Sequence, residues 1–292
     1  MDKAKEEKAI ERLRAFEPRN GEPYYLAYSG GKDSDAILIL AELAAVEYEA
    51  VHNLTTADAP ETVYYVRSKE NVRINRPETT MWELIPKKLM PPTRLVRYCC
   101  SELKERGGKG RVVVTGVRWA ESRARKESAD VVRVIGRNSV EAAEAFGADY
   151  RETRQGGIIL NNDNDAARKL VEHCHIQSKV MVNPIVDWTD DDVWEFIGQR
   201  HIIVNPLYAM GYKRVGCVGC PMSSKAGEEL DAMPKYKANW IRWFGHLIDD
   251  AKRDGRPVFM ESAEDYYNFW ISGKALPKDN GQISFDDEED EG

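Results

Sequence analysis

Hydrophobic and polar positions alternate along the chain in a way that predicts strands and helices in turn. In residues 1–16, Ala9, Ile10, Leu13 and Phe16 fall on one side of a polar helix. Pro18, Asn20, Gly21 and Pro23 then stop it. Tyr24–Tyr28 is a short β-prone run that ends in Ser29-Gly30-Gly31-Lys32-Asp33-Ser34, and a strongly helical stretch follows from Asp35 to Val46. A second strand is expected at Tyr48–Leu54, ending at Thr55-Thr56, and a helix from Glu61 to Arg73 behind Pro60. Met81–Leu89 and Cys99–Arg106 read as short helices, and Arg111–Val117 as a strand. The stretch from Ala124 to Val180 has no clear period and reads as an irregular insertion. Order returns at Val180–Val186. Thr189 then caps a helix whose first turn holds Asp190, Asp191 and Asp192. Tyr236, Trp240, Trp243 and Phe244 recur at helical spacing, which predicts core packing.

Strands alternating with helices through short glycine turns predict an α/β fold, a parallel sheet flanked by helices with a helical C-terminal part. The expected layout is an N-terminal helix at 1–20, a nucleotide-binding domain at 21–222 holding the insertion at 124–180, a helical segment at 223–280 and a tail at 281–292. The 292 residues, 42% hydrophobic and 31% charged, fit a globular enzyme and argue against bulk disorder. No apolar run approaches the roughly 18 residues a membrane span needs. The charged N-terminus has no apolar signal core, so a cytoplasmic protein with no membrane partner is expected. Net charge is −7, but Asp286–Glu291 are six consecutive acids, and without them the chain is close to neutral. The acidity therefore belongs to a tail expected to be disordered.

Ser29–Ser34 is the strongest chemical signal. Paired glycines between strand and helix let the backbone approach a ligand closely. The first helical amides are unpaired and favour an anion. Ser29 and Ser34 add hydroxyls and Lys32 a cation, which together suit a pyrophosphate. The spacing is not that of a Walker loop. Asp33 is unusual beside phosphates, and a Mg²⁺ bridge or a helix-capping role would account for it. Ligands on parallel sheets bind at the carboxyl ends of strands, where Thr55 and Arg118 also fall.

Five cysteines without an export signal are expected as reduced thiols. Cys99-Cys100 and Cys217-x-x-Cys220 make two local pairs, able to hold zinc or an iron–sulfur cluster, although an adjacent pair is unusual for a zinc knuckle. From Arg94 to Arg137 there are 12 Lys/Arg against 5 Asp/Glu. That surplus suits thiolates and phosphates together, and equally nucleic acid. Cys174 lies between His173 and His175, but three adjacent residues cannot all face one ion from a regular element.

The chain resembles the phosphoadenosine phosphosulfate (PAPS) reductase family of the PP-loop, adenine nucleotide α-hydrolase-like superfamily. The likeness rests first on Ser29–Ser34. It continues through Asp58-Ala59-Pro60-Glu61-Thr62; Pro91-Pro92-Thr93-Arg94 with Arg97-Tyr98-Cys99-Cys100; and Gly116-Val117-Arg118 with Glu121-Ser122-Arg123. Asn183-Pro184-Ile185 with Trp188-Thr189, and Gly216-Cys217-Val218-Gly219-Cys220-Pro221, complete it. The resemblance implies a Rossmann-like sheet and an adenine nucleotide held by Ser29, Gly30, Gly31, Lys32, Asp33, Ser34 and Thr55. Arg118 and Arg123 would face its anionic end. It also implies a [4Fe–4S] cluster on Cys99, Cys100, Cys217 and Cys220.

The resemblance fails at one point. Reductases of this family carry a nucleophilic cysteine near the C-terminus, and no cysteine follows Cys220 here. The expectation is therefore ATP cleaved to AMP and pyrophosphate in sulfur-transfer chemistry, as in DNA-phosphorothioation and tRNA-thiolating relatives. Lys32, Asp33 and Arg118 would be catalytic, with Mg²⁺, a sulfur-donor protein and a nucleic-acid acceptor as candidate partners. The alternatives are a PAPS or adenosine phosphosulfate reductase with a relocated thiol, and a non-catalytic nucleic-acid-binding subunit.

Overall fold

The computed structural model describes residues 2–154 and 156–274; the acidic run at 286–291 lies outside them. In chain order the elements begin with α1 (Lys3–Ala15), β1 (Tyr24–Ala27), α2 (Lys32–Ala44), β2 (Tyr48–Asn53), α3 (Pro60–Arg67), β3 (Val72–Asn75), α4 (Met81–Lys88), α5 (Tyr98–Leu103) and β4 (Val112–Val114). Then come α6 (Arg123–Ser128), β5 (Val132–Ile135), α7 (Ser139–Phe146), β6 (Arg151–Glu152), β7 (Ile158–Leu160), α8 (Asp165–Cys174) and β8 (Lys179–Val182). The chain continues through α9 (Asp190–Gln199), α10 (Ala226–Ala232), α11 (Pro234–Arg253) and α12 (Ala263–Ser272).

The strands form one sheet in the order β3-β2-β1-β4-β8-β5-β7-β6. The first five run parallel, and β5 pairs antiparallel with β8 and β7. From β1 the chain builds outward in one direction to β3, then returns to β4 on the other side. That reversal leaves a crevice at the carboxyl ends of β1 and β4, where doubly wound sheets bind ligands.

The sequence pattern missed three features of this sheet. Residues 124–180 are an ordered extension rather than an irregular insertion, carrying α6, β5, α7, β6, β7 and α8. Their strands are two to four residues long, too short to show a period; β5 pairs with β8, β7 with β5, and β6 with β7. The helix expected to reach Arg73 stops at Arg67, because Val72–Asn75 forms the edge strand β3 beside β2. The strand expected over Arg111–Val117 is only Val112–Val114.

Two hydrophobic cores result. One lies on the sheet, with Leu26, Ile37, Leu40, Val114, Val182, Trp188 and Phe196 fully buried. The other is built by α4, α5 and the C-terminal helices around Trp240. Its indole stacks on Trp270 with centroids 4.5 Å apart and meets Trp82 edge-on at 5.2 Å. No helix among the described residues is long and apolar enough to cross a membrane.

One polar clamp holds α1 to the sheet. Arg12 donates to both carboxylate oxygens of Asp187, at 2.8 and 2.9 Å, and to the carbonyl of Pro184 at 2.8 Å. Burial alone would raise the Asp187 carboxyl, but the Arg12 guanidinium overrides it and the net shift is downward. Removing the arginine strands a half-buried carboxylate. Arg12→Met is expected to lower unfolding free energy by roughly 3 kcal/mol at neutral pH, the scale of breaking a buried pair from one side. Because the folded pKa is depressed, the contribution is complete above the unfolded value of 3.8 and is lost as pH falls through the folded one. Urea melts of both proteins should therefore converge in acid; a gap that persists there would refute the assignment.

Candidate active site

The glycine turn leaves β1 and enters α2. Gly30 has φ +78°, the left-handed region, and a Cβ there would lie 3.0 Å from Val66 Cγ2 of α3. Glycine is thus required by backbone and space together. Gly31 is the helix N-cap and has no side chain to cap with. Its carbonyl accepts from the amides of Ser34 and Asp35 and from the Ser34 hydroxyl at 2.7 Å. Ser29 donates to Ser34 at 3.3 Å and accepts from the Gly31 amide at 3.4 Å. These serines shape the turn, taking up the Gly31 amide and its carbonyl.

Four charges meet beside it. Arg118, buried just beyond β4, donates from Nε to Asp33 at 2.7 Å and from Nη2 to Asp190 at 2.6 Å. Lys32 Nζ lies 3.3 Å from Asp33 and 3.1 Å from Asp190. Thr189 positions Asp190 by a capping box with Asp192. The Asp190 carboxyl sits below its usual range: burial opposes this, but hydrogen bonds from Lys32 and Arg118 prevail. Gly116 lets β4's exit loop approach, since a Cβ there would stand 3.0 Å from Asp33's carbonyl oxygen. Asp33 is therefore not the helix cap, and one of its oxygens meets Arg118 and the other Lys32.

A strap crosses the turn. Asn205 donates to the Gly30 carbonyl and to Thr62, both at 3.1 Å. The Tyr208 hydroxyl accepts from the Lys32 amide at 2.9 Å. Val215 lies 3.6 Å from where a Gly31 Cβ would project. Two residues on, Cys217 pairs across an isolated bridge with Asp58, and its thiol donates to Thr55 Oγ1 at 3.3 Å.

The two cysteine pairs come together here. All five cysteines are free thiols. Cys99 donates to Cys100; with burial and the charges of Cys100, Cys217 and Cys220, this pushes Cys99 up. The same hydrogen bond, helped by Arg97 whose guanidinium lies 3.3 Å from Cys100 Sγ, pulls Cys100 down to about 5. Lys104 is raised, chiefly by Cys217 and also by Asp58 and Cys100. Burial raises Cys217 despite Lys104. Arg94 fastens the first pair's loop to the second by donating to the Pro221 carbonyl at 3.0 Å. The donor set suits a thiolate-bound group in kind. As they stand, no three His, Cys, Asp or Glu side chains among the described residues form a ready metal-holding group.

Other expected residues lie apart from the charge knot. Thr55 is buried against Cys217 and Asp58 at the thiol end. Arg123 is 93% exposed and pairs with Glu127; no hydrogen bond or ion pair among the described residues joins it to the knot. Cys174 is buried in the sheet core with its thiol raised by burial, while His175 Nδ1 donates to Glu172's carbonyl and His173 packs on Phe146. Sequence reasoning missed Asp190, Asn205, Tyr208 and Lys104 as site residues. Asp190 was visible only as an acid in the first turn of a helix capped by Thr189.

One strained residue borders the site. Thr56 has φ +64°, uncommon for a β-branched side chain and worth about 1–3 kcal/mol of strain. Its hydroxyl donates to the Thr55 carbonyl at 2.6 Å and accepts from the Met81 amide at 2.9 Å.

Comparison with known proteins places this arrangement. The chain is 26% identical over 257 residues to an uncharacterized protein of Methanocaldococcus jannaschii, covering 86% of this chain and 52% of the other. It is 43% identical over 50 residues to adenosine 5'-phosphosulfate reductase of Burkholderia cepacia, covering 17% of this chain and 20% of that enzyme. The chain thus spans about half the length of the first relative and a fifth of the second. Among solved structures, PAPS reductase of Candida auris in a phosphate complex aligns with a TM-score of 0.43 and 18% identity, over 72% of this chain and 88% of that one. The sequence pattern of the phosphoadenosine phosphosulfate reductase domain matches residues 23–223, taking in the glycine turn, Arg118 and all four paired cysteines, and the chain belongs to that family.

Proposed function

We propose that the chain binds ATP at the Ser29–Ser34 turn and cleaves it to AMP and pyrophosphate in sulfur transfer. In this reading an acceptor oxygen attacks the α-phosphorus and pyrophosphate leaves. A sulfur donor then attacks the activated carbon, and AMP departs with the acceptor's oxygen. The observation that carries the reading is the continuous strap from Asn205 on Gly30, through Tyr208 on Lys32, to Cys217 on Thr55. The strap joins the glycine turn to the Cys217-x-x-Cys220 segment, which supports the reading.

The roles follow from the contacts. The amides opening α2 receive the departing pyrophosphate, where the helix dipole favours negative charge. Lys32 and Arg118 add cations that Asp33 and Asp190 hold in place. The Tyr208 hydroxyl, while accepting from the Lys32 amide, has its own proton to give a phosphate oxygen. Asp33 offers Mg²⁺ no unengaged oxygen, so the metal would come with the nucleotide's phosphates. Cys99, Cys100, Cys217 and Cys220 would hold a [4Fe–4S] cluster, which when bound supplies an iron–sulfide centre beside the nucleotide. Arg97 and Lys104 offset thiolate charge there.

A reductase reading is favoured by the adenosine phosphosulfate reductases matched over about a sixth of the chain. It requires a nucleophilic thiol outside the paired cysteines, and Cys174 is enclosed in the core. Sulfite released from adenosine phosphosulfate or PAPS with a thioredoxin-like reductant would establish it in place of the first.

Three measurements test the lead reading. Gly31→Val puts a branched side chain against Tyr208 and Val215, and should weaken ATP binding at least about 100-fold by calorimetry; unchanged affinity would remove the nucleotide from this turn. Asp190→Ala leaves Arg118 half-tethered, and should lower kcat/KM for pyrophosphate release about tenfold, or ~1.4 kcal/mol. Anaerobically purified protein should contain about four irons and four sulfides per chain, reduced in Cys217→Ser. One tightly held zinc in their place would discard the cluster.

A further inference from the structure

A groove of about 500 Å³ opens beside the strained Thr56, on the side of the molecule built by α4 and α11. Trp82, Lys235, Tyr236, Asn239 and Arg242 line it with Thr56, and none of its lining residues is acidic. Lys235 and Arg242 are exposed and have no ion pair among the described residues. Arg242 instead donates to Asn239, so its guanidinium is held along the groove without losing charge to a carboxylate. The two aromatic rings are fixed from behind. Trp82 packs edge-on against buried Trp240, and the Tyr236 hydroxyl donates to the Asp58 carbonyl at 2.5 Å. The groove thus presents two anchored aromatic rings, an amide and two uncompensated cations.

Its position ties it to the candidate site. Thr56 follows Thr55, which touches Cys217, and Tyr236 is bonded to the residue that bridges to Cys217. A ligand lying along α11 would therefore reach the thiols at the Thr56 end. Anchored rings beside cations form the pattern that stacks successive bases and follows a phosphate backbone, whereas a free small ligand calls for a more enclosed, mostly apolar cavity.

We propose that this groove binds single-stranded nucleic acid, stacking bases on Trp82 and Tyr236 and pairing Lys235 and Arg242 with phosphates. This rests on the sulfur-transfer reading and deepens it by giving a nucleic-acid acceptor a place to bind. Two phosphate contacts on a single strand carry a combined salt slope of about 1.4.

Fluorescence anisotropy with a short labelled single-stranded oligonucleotide, across a range of salt, tests it on the full chain. Lys235→Glu/Arg242→Glu should weaken binding at least about tenfold and flatten the log–log salt slope by about 1.4. Both side chains are exposed, so a melting curve should match the parent; Arg242→Gln alone, with an intermediate loss, serves if the double variant does not fold. Bound oligonucleotide should quench tryptophan emission, and Trp82→Phe should reduce that quenching. Unaltered affinity in the charge-reversed protein overturns the proposal. So does binding of duplex, or of free AMP, as tightly as of single strand. The ATP reading fails separately: Gly31→Val that keeps ATP affinity overturns that reading, while loss of oligonucleotide binding in the charge-reversed protein still upholds the groove.

Discussion

Two carboxylates and two cations share the crevice between β1 and β4, and the position of each depends on the other three. Asp33 comes from the first turn of α2, Asp190 from the first turn of α9, and Arg118 from the loop after β4. Arg118 is almost wholly buried, so its charge is tolerable only because both acids and the Trp188 carbonyl receive its hydrogen bonds. The knot is formally neutral. Under the proposed function, a polyphosphate would meet cations already oriented and desolvated, with the orientation supplied by folding. The sequence of α9 makes sense in this light. Thr189 caps the helix and Asp192 serves the cap, which leaves the exposed Asp190 carboxylate to receive Arg118 and Lys32.

The same economy appears in the strap over the glycine turn. Asn205 is fully buried and spends one amide on both Gly30 and Thr62, fixing the turn to α3. Beneath it Asp35 accepts from Tyr28 at 2.5 Å and from Tyr65 at 2.9 Å, and Tyr65 also donates to the Ile203 carbonyl. Burial raises the Asp35 carboxyl, and the two phenols satisfy its oxygens. The turn is thus supported from below by a closed polar network and overlaid by residues that run directly into the second cysteine pair. A shift of the strap would be felt at Lys32's amide and at Cys217 alike.

Much of this was legible in the chain because it is local. The glycine turn, the capped helix at Thr189 and the alternation of strands with helices are written within stretches of about ten residues, where spacing and turn chemistry decide the outcome. Arg118 and the cysteine pairs were also legible, through motif blocks in a recognisable order. The role of Asp33 was not. Nothing near it in sequence announces Arg118, 85 residues away, as the partner that takes up its carboxylate. Tyr208 and Asn205 were silent for the same reason, since their partners lie 143 residues or more away. β5 and β7 failed differently: strands of three and four residues are specified by the neighbours they pair with.

The aromatic helix α11 shows how far the thiol site depends on parts remote from the glycine turn. Its Trp240 lies within 3.4 Å of the Val218 carbonyl, and its Tyr236 bonds the Asp58 carbonyl. Val218 in turn donates to Ala57 at 2.8 Å. One helix therefore grips both sides of the bridge that brings Cys217 against the loop after β2. Trp270 of α12 reaches the Pro92 carbonyl at 2.7 Å, steadying the loop that leads to Cys99-Cys100. The two cysteine pairs, more than a hundred residues apart in the chain, are held by a single buried group of rings. Those rings sit at core spacing because they are core, and the core is what sets the distance between the pairs.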